Sequence, residues 1–338
     1  MNKIIRCFCW IIFLVPHTAF GETVTIDKRI EDLPTKGYIV RSCLLSSSRL
    51  LFTSTSGAIY YQDKRSKWKT ISLDLDRWFW WRCPDDKEQG LVLSENGIYA
   101  LDDTPKFHDK RVAIDGGIAQ ASFSDGYMSF VSKKDNIHLA YNARLLDIEK
   151  PSDLGLGGRF GAHFFDDRQG VFWKSVSRNN WRIWWSSDQG KVWSATNLAP
   201  DEFFGFNVKK IVNIGDKGGA IMLVDTYMSL GGAMTPVLFS TSNFGKTWDR
   251  LDYRFDEIVA FKGYTQNKAI ISTDKELYTI SVENSSFRVN EVKITSKKSL
   301  SDDMQIIDVV IRGKNIAITR APLCVACYAA IDIGVLSD

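Results

Sequence analysis

Three pairs of adjacent acidic residues are the first candidates for chemistry in this sequence. They are Asp85-Asp86, Asp102-Asp103 and Asp166-Asp167. Many glycosidases use two carboxylates, one as an acid and one as a base or nucleophile. Neighbouring residues of a strand point to opposite faces of its sheet, however, and each pair lies where the pattern predicts a turn. We therefore expect turn residues here and predict no catalytic residue among them.

The histidines form no pattern typical of a metal site or an activated nucleophile. His108, His138 and His163 are far apart in sequence, and His17 lies in the N-terminal leader described below. No His-x-x-x-His pair suits a metal ion, and no Gly-x-Ser-x-Gly segment marks a nucleophile. We expect ordinary surface or strand histidines, and we predict neither a metal nor another cofactor.

Four cysteines follow the leader: Cys43, Cys83, Cys324 and Cys327. An even number of cysteines in an oxidising compartment predicts disulfides. Three pairings are open, and we favour Cys43–Cys83 with Cys324–Cys327, because Cys43 and Cys83 occupy similar places in successive repeats. The Cys324-Val-Ala-Cys327 segment is alternatively a redox motif or half of a zinc site. Its flanks predict strands rather than a helix, and no second cysteine or histidine pair accompanies it.

Two stretches share the pattern [Ser/Thr]-x-[Asp/Asn]-x-Gly-x-x-Trp. Its fixed positions are Ser186, Asp188, Gly190 and Trp193 in the first stretch, and Thr241, Asn243, Gly245 and Trp248 in the second. The Asp or Asn oxygen can accept backbone N–H groups of a turn, and glycine adopts φ > 0 without a steric penalty. The Trp begins the returning strand and covers the hairpin with its ring. These residues are therefore expected to hold turns rather than to act as catalytic or metal-binding groups.

The pattern resembles the Asp-box of sialidase-like (BNR-repeat) β-propellers, and the resemblance implies an all-β propeller with Asp-box hairpins. Weaker copies keep the interval of five residues, from Asp63 to Trp68 and from Asp102 to Phe107. The copies recur every ~40 to 55 residues, which is typical of four-stranded propeller blades.

The same resemblance implies where sialidase chemistry would lie. Sialidases grip the substrate carboxylate with three arginines and use a Tyr–Glu nucleophile pair and an Asp acid. The strand from Gly37 to Cys43 corresponds to the first arginine motif and contains Arg41, but the Ile-Pro of that motif is absent. No other member of the set can be assigned, so no catalytic residue is carried over.

Short alternating apolar runs predict seven four-stranded blades, with six as the alternative. The predicted bounds are 37–75, 76–116, 117–150, 159–200, 207–255, 256–295 and 303–335. The last unit has only three strands of its own, and the third of them is expected from Cys327 to Ile333. We predict that Thr23–Asp27 supplies the fourth strand and closes the ring, because closure removes exposed sheet edges.

Residues 1–21 have the pattern of a signal peptide. Lys3 and Arg6 precede a short apolar run, and Ala19-Phe20-Gly21 predicts cleavage before Glu22. No apolar run is long enough for a membrane span. Loss of the leader lowers the formal net charge from +3 to +1, which does not favour a nucleic-acid binder. We expect one propeller domain over residues 22–338, exported and periplasmic.

Aromatic residues are dense in two segments, Trp78-Phe79-Trp80-Trp81 and Trp181-Arg182-Ile183-Trp184-Trp185. We favour packing between neighbouring blades, since both faces of such sheets are buried. The alternative is a tryptophan rim beside Arg77, Arg82 and Arg182, which would suit a sugar ring or a protein partner.

The unit over 207–255 contains an insertion, from Asp225 to Pro236, that is apolar and rich in glycine. Extra residues beyond a short hairpin usually lie on the surface, so four apolar side chains would be exposed. They are Tyr227, Met228, Leu230 and Met234. This segment is the candidate partner-contact loop, and folding over the protein's own face is the alternative.

These observations favour an exported, non-enzymatic propeller that binds a protein, either as a scaffold or as an immunity-type protein that neutralises a toxin or secreted effector in a bacterial periplasm. The alternative is a glycan-active protein, either a sialidase-like hydrolase or a lectin. A cofactor-dependent propeller dehydrogenase lacks a recognisable metal or quinone ligand pattern.

Overall fold

The fold of this 338-residue chain was obtained as a computed structural model. It describes residues 22–34, 39–45, 49–54, 58–63, 65–71, 80–83, 90–94, 97–101, 107–108, 118–124, 127–132, 137–141, 144–148, 159–175, 182–196, 198, 205–215, 218–227, 233–283, 286–296, 304–322 and 329–337. All regular elements within these ranges are β-strands.

The strands are numbered in chain order, and β1 (Thr23–Ile30) comes first. Five four-stranded antiparallel sheets follow, each with its strands in chain order. Sheet 1 contains β2 (Ile39–Leu44), β3 (Leu50–Ser54), β4 (Ile59–Gln62) and β5 (Trp68–Ile71). Sheet 2 contains β6 (Trp80–Arg82), β7 (Gly90–Ser94), β8 (Gly97–Leu101) and β9 (Phe107–His108). Sheet 3 contains β10 (Ile118–Ser124), β11 (Tyr127–Ser132), β12 (Ile137–Tyr141) and β13 (Arg144–Ile148). Sheet 4 contains β14 (Arg159–Phe164), β15 (Gly170–Ser175), β16 (Arg182–Ser186) and β17 (Ser194–Ala195). Sheet 5 contains β18 (Gly205–Asn213), β19 (Ala220–Tyr227), β20 (Met234–Thr241) and β21 (Asp249–Arg250).

Sheet 6 has eight strands in the order β22-β23-β24-β25-β1-β28-β27-β26. Its strands, besides β1, are β22 (Ala260–Thr265), β23 (Lys268–Ser272), β24 (Leu277–Glu283), β25 (Ser286–Ser296), β26 (Met304–Arg312), β27 (Asn315–Pro322) and β28 (Ala330–Ser337). β1 runs parallel to β25 on one side and antiparallel to β28 on the other. The N-terminal strand therefore joins two four-stranded halves edge to edge, β22–β25 and β26–β28 with β1.

Apolar side chains pack between consecutive sheets along the chain. Ile148 of sheet 3 packs with Phe164 of sheet 4, and Trp173 of sheet 4 packs with Phe239 of sheet 5. Leu238 of sheet 5 then packs with Ile271 of sheet 6.

The other half of sheet 6 packs back against sheet 1, where Val310 and Ile331 share a cluster with Phe52. The end of the chain therefore packs on its beginning. Since β-sheets are apolar on the faces that meet other layers, these interfaces between sheets supply the core.

First strands from five of the six sheets contact one another, which places these strands towards the middle of the molecule. β10 contacts β14 and β18, β22 contacts β18 and β26, and β26 contacts β2. Several of them carry an irregularity in pairing, as β18 does between Val208 and Lys210 and β26 between Ile306 and Asp308. An extra residue at such a bulge bends the strand and increases its twist.

Each antiparallel unit has two ends, which we name by its first strand. The entry end is where the first strand begins, so connections from second to third strands lie there. The exit end is where the first strand finishes, so connections from third to fourth strands lie there. Loops at one end are therefore separated from loops at the other by the length of a strand.

The expected closure is confirmed, because Val24 pairs with Leu336 and Arg29 pairs with Asp332 in the β1–β28 ladder. The prediction for the last strand was wrong in its position. It begins at Ala330 rather than Cys327 and continues to Ser337, where it pairs with the N-terminal strand. Residues 323–328, including Cys324 and Cys327, lie outside the described ranges.

Candidate functional site

The predicted contact loop belongs to the hairpin of β19 and β20, at the entry end of sheet 5. The two strands pair continuously up to Tyr227 opposite Met234. Much of the segment from Asp225 to Pro236 is thus strand rather than loop, because backbone pairing continues through Thr226 and Thr235. Met228 and Leu230 lie in the connection, outside the described residues.

The two described apolar residues of this hairpin differ in exposure. Met234 is 53% exposed, as predicted. Tyr227, which was predicted to be exposed, is half-buried. Its place at the end of a paired strand explains the difference, since cross-strand neighbours cover part of a side chain.

Polar contacts fix the base of the hairpin. The Thr226 hydroxyl, on a buried residue, donates to the Thr235 carbonyl at 3.0 Å. Lys209 Nζ lies 2.8 Å from Asp225 Oδ2, and Lys209 is the extra residue of the β18 bulge. These contacts fix the pairs of the hairpin that lie next to Tyr227 and Met234, the last described pair.

The two Trp-containing repeats lie at the opposite, exit end. In the first turn, Asp188 Oδ1 accepts the Val192 N–H at 3.0 Å and the Ser186 hydroxyl at 2.8 Å. The Ser186 oxygen in turn accepts the Gly190 N–H at 2.9 Å. The Val192 N–H holds the pKa of the Asp188 carboxyl below its usual range. Trp193 follows and packs near Phe172, with ring centroids 5.9 Å apart.

The second turn repeats these bonds with different side chains. Asn243 Oδ1 accepts the Thr247 N–H at 3.0 Å and the Thr241 hydroxyl at 3.0 Å, and Thr241 Oγ1 accepts the Gly245 N–H at 3.1 Å. Trp248 is buried against sheet 4. In both turns the side-chain oxygen of Asp188 or Asn243 accepts a backbone N–H group, so these oxygens stabilise the turn.

Two other predicted turn residues show related geometry. Asp63 Oδ1 accepts the Lys67 and Arg65 N–H groups, and the Lys67 bond is the main cause of a lowered Asp63 carboxyl pKa. Asp166 Oδ1 accepts the Gln169 and Arg168 N–H groups in the β14–β15 hairpin. Asp167 is exposed. The pairs Asp85-Asp86 and Asp102-Asp103 lie outside the described residues.

The second aromatic segment packs against both neighbouring sheets. Trp184 is buried in the cluster with Ile148 of sheet 3, while Ile183 is buried in the cluster with sheet 5. Trp185 is half-buried, and Lys246 Nζ of sheet 5 stands 4.7 Å from its ring centroid. Arg182 is exposed. Trp78, Phe79 and Trp181, and the side chains of Trp80 and Trp81, lie outside the description.

His163 lies on β14 and is fully buried, which the sequence did not indicate. Its Nε2 lies 2.8 Å from Asn213 Oδ1 at the end of β18. Burial lowers the pKa of His163 to about 4. The imidazole is therefore neutral at pH 7. The side chains of Arg41, His108 and His138 lie outside the description.

A disulfide joins Cys43 on β2 to Cys83, directly after β6. The pairing agrees with the prediction made from the repeats. It links the first strands of sheets 1 and 2, so it connects two successive units.

Two buried polar clusters escaped the sequence analysis, since their members are distant in sequence. On the inner strands, Asp308 accepts bonds from the Ser42 N–H, the Ser42 hydroxyl and Lys262 Nζ at 2.8 to 3.0 Å. This cluster joins sheet 1 to both halves of sheet 6.

The second cluster lies at the entry end of the closing strands. Fully buried Asp332 accepts Arg29 Nε at 2.7 Å and Arg320 Nε at 3.0 Å. The hydrogen bond that Arg29 donates to Asp332 raises the pKa of Arg29, whereas burial lowers the pKa of Arg320. The cluster ties the first strand of the chain to the last two.

Among the residues described, no group of three or more His, Cys, Asp and Glu side chains could hold a metal ion. The same residues include no helix with the length and apolar character needed to cross a membrane.

No protein-family model matches the chain, and no curated protein matches it. Solved structures do. YCF48 from Cyanidioschyzon merolae has a TM-score of 0.52 at 9% identity, covering 92% of this chain and 98% of that one. The Dos1 propeller has a TM-score of 0.54 at 9% identity, covering 93% of this chain and 96% of that one. At such identity the likeness shows the fold alone, and that fold is a β-propeller.

Proposed function

We propose that this chain is an exported, non-enzymatic β-propeller that binds a partner protein through the entry end of its sheets. The observation that carries the proposal is Met234, which is 53% exposed in the last described pair of a hairpin with a fixed base. An exposed large apolar side chain on a fixed backbone suits a protein interface, because little backbone conformational entropy is lost on binding.

The proposed propeller has seven blades. Sheets 1 to 5 supply one blade each, and the two halves of sheet 6 supply two more. We interpret the turns at Asp188 and Asn243 as Asp-boxes on the face away from the proposed interface, which their matching hydrogen bonds support.

Export is the second part of the proposal, with residues 1–21 as a signal peptide and a mature protein that begins at Glu22. Edman sequencing of protein recovered from the periplasmic fraction would test it. A mature N-terminus at Glu22 in that fraction is expected, and full-length protein confined to the cytosol would contradict export.

The binding proposal is tested by capture of partners from periplasmic extract with tagged variants. Replacement of residues 227–234 by a short Gly/Ser linker, or the single change Met234→Ser, should abolish a specific capture that the unchanged protein shows. Val192→Ser is the matched control, because Val192 is 64% exposed but lies at the exit end.

Identical capture by all variants, or none by the unchanged protein, would refute this interface. Mass spectrometry of a captured partner distinguishes the two proposed roles. A scaffold would capture a protein that it helps to assemble, whereas an immunity-type protein would capture a delivered toxin. Turnover of a fluorogenic sialoside by the purified protein would instead support a sialidase-like hydrolase.

A further inference from the structure

An aromatic cluster lies between sheet 5 and the β22–β25 half of sheet 6, at the entry end. Phe255 is buried there, with its ring centroid 4.8 Å from Tyr253 and 5.2 Å from Tyr278. Tyr253 and Tyr278 meet nearly edge to face, with centroids 6.2 Å apart. Tyr253 is 37% exposed. A buried anchor thus holds two tyrosine rings, and one of them is open to solvent.

Two exposed carboxylates border these rings. The Tyr278 hydroxyl donates to Glu276, and Glu291 pairs with Tyr278 across β24 and β25. The Glu276 bond, with Glu291 and burial adding to it, raises the pKa of the Tyr278 hydroxyl. The Tyr278 phenol therefore stays neutral, and Glu276 and Glu291 carry the negative charge beside the two tyrosine rings.

In the described part of the chain, neither Glu276 nor Glu291 has an ion-pair partner, and no cation stands over either tyrosine ring. Arg254, Lys275 and Lys293, the nearest basic residues in sequence, are exposed. Aromatic faces attract guanidinium and ammonium groups, and an adjacent carboxylate adds a charge-assisted hydrogen bond. The patch of Tyr253, Phe255, Tyr278, Glu276 and Glu291 therefore combines aromatic faces with negative charge, the two features that bind a cationic side chain.

We propose that this patch binds an arginine side chain of a basic segment in the partner protein. The proposal rests on the protein-binding function above and adds the chemistry of the partner. Charge complementarity selects this occupant, since an acidic or purely apolar segment would leave both carboxylates without a counter-charge. The planar guanidinium can stack flat on a tyrosine ring while it donates two hydrogen bonds to a carboxylate, whereas an ammonium group is a compact point charge.

A capped tri-arginine peptide is the probe, with the capped tri-citrulline peptide as its uncharged isostere. Isothermal titration with the whole protein should show at least tenfold weaker binding of the citrulline peptide. Tyr253→Leu should weaken binding of the arginine peptide about threefold or more, and the double variant Glu276→Gln/Glu291→Gln about fivefold or more, from the usual strength of exposed cation–π contacts and ion pairs.

The matched control is Asp252→Asn/Glu257→Gln, which removes two exposed charges from the neighbouring segment and should leave binding unchanged. No binding of the arginine peptide at millimolar concentration, equal binding by the patch variants, or an equal loss in the control would each overturn the proposal. Met234→Ser should not alter peptide binding. A failure to capture a partner would therefore count against the proposed function, whereas a failure to bind the arginine peptide would count against this patch alone.

Discussion

The choice of residue at two turn positions in this protein is limited by the backbone conformation and by side chains of the neighbouring sheet. Gly190 and Gly245 have φ values of 77° and 79° and occupy equivalent places in the two repeats. A Cβ atom at Gly190 would lie 2.2 Å from Ile148 Cγ2, and one at Gly245 would lie 2.2 Å from Val171 Cγ1. Both glycines therefore allow a turn to contact the preceding sheet closely.

Gly190→Ala and Gly245→Ala should each lower the free energy of unfolding by about 2–4 kcal/mol, because left-handed backbone strain and overpacking add. Gly313→Ala is the control, since its φ is also positive but no atom lies within 4 Å of the added Cβ. It should cost only about 1 kcal/mol by backbone strain. Urea unfolding measures the three values, and equal losses would contradict the packing argument.

Buried His163 should make stability depend on pH. Its pKa is about 4 in the fold and ~6.5 when unfolded, so the unfolded state binds the proton more readily. Protonation of His163 in the unfolded state therefore costs no stability above pH ~6.5. It lowers the free energy of unfolding by about 3 kcal/mol as the pH falls to 4. His163→Gln should remove this component when unfolding is followed by urea between pH 7 and 4. A variant with the same pH slope as the unchanged protein would disprove it.

At the scale of strands, the ladders extend further than the apolar pattern indicated. β19 and β20 continue through Asp225–Tyr227 and Met234–Pro236, where the sequence suggested a loop because of its glycines. β28 likewise runs to Ser337, since β1 and β27 supply partners on both sides. Pairing partners set strand length, and they are not visible in the strand's own residues.

The disulfide between Cys43 and Cys83 is a connection between two successive units. Its partners are 40 residues apart, so the chain-entropy estimate for its loss is about 4 kcal/mol. The double variant Cys43→Ser/Cys83→Ser should therefore unfold at a clearly lower urea concentration than the unchanged protein. Equal midpoints, with the disulfide verified by mass spectrometry in the unchanged protein, would show that the link adds no stability.

At the scale of the molecule, the N-terminal strand joins the two halves of sheet 6. β1 has neighbours on both edges, so neither β25 nor β28 presents an open edge where they pair with it. Its Val24 and Ile26 side chains enter the core between the two halves of sheet 6. The Arg29–Asp332–Arg320 cluster adds polar contacts near the other end of the same strand.

Asp332→Asn should destabilise the fold by about 3–5 kcal/mol, because buried Arg320 and half-buried Arg29 would lose the carboxylate that they share. Arg29 and Arg320 expose only 10% and 7% of their side chains. Asp252→Asn, on an exposed residue, should change stability by less than about 0.5 kcal/mol. Thermal unfolding compares the two variants, and hydrogen exchange in β1 and β28 should rise in Asp332→Asn alone. Similar behaviour of both variants would exclude a latch at Asp332.

The amino-acid sequence by itself predicted an all-β chain, its repeating turns and the pairing of β1 with the last strand. These features follow from the alternation of apolar and polar residues, from turn chemistry and from the need to cover sheet edges. It also favoured the Cys43–Cys83 pairing, through the phase of the repeats, and the structure contains that disulfide. Only the tertiary structure decided that His163 is buried, that Asp308 and Asp332 collect distant partners, and that Tyr253 meets Tyr278. Each of these depends on residues far apart in the chain, and the packing of one sheet on the next brings them together.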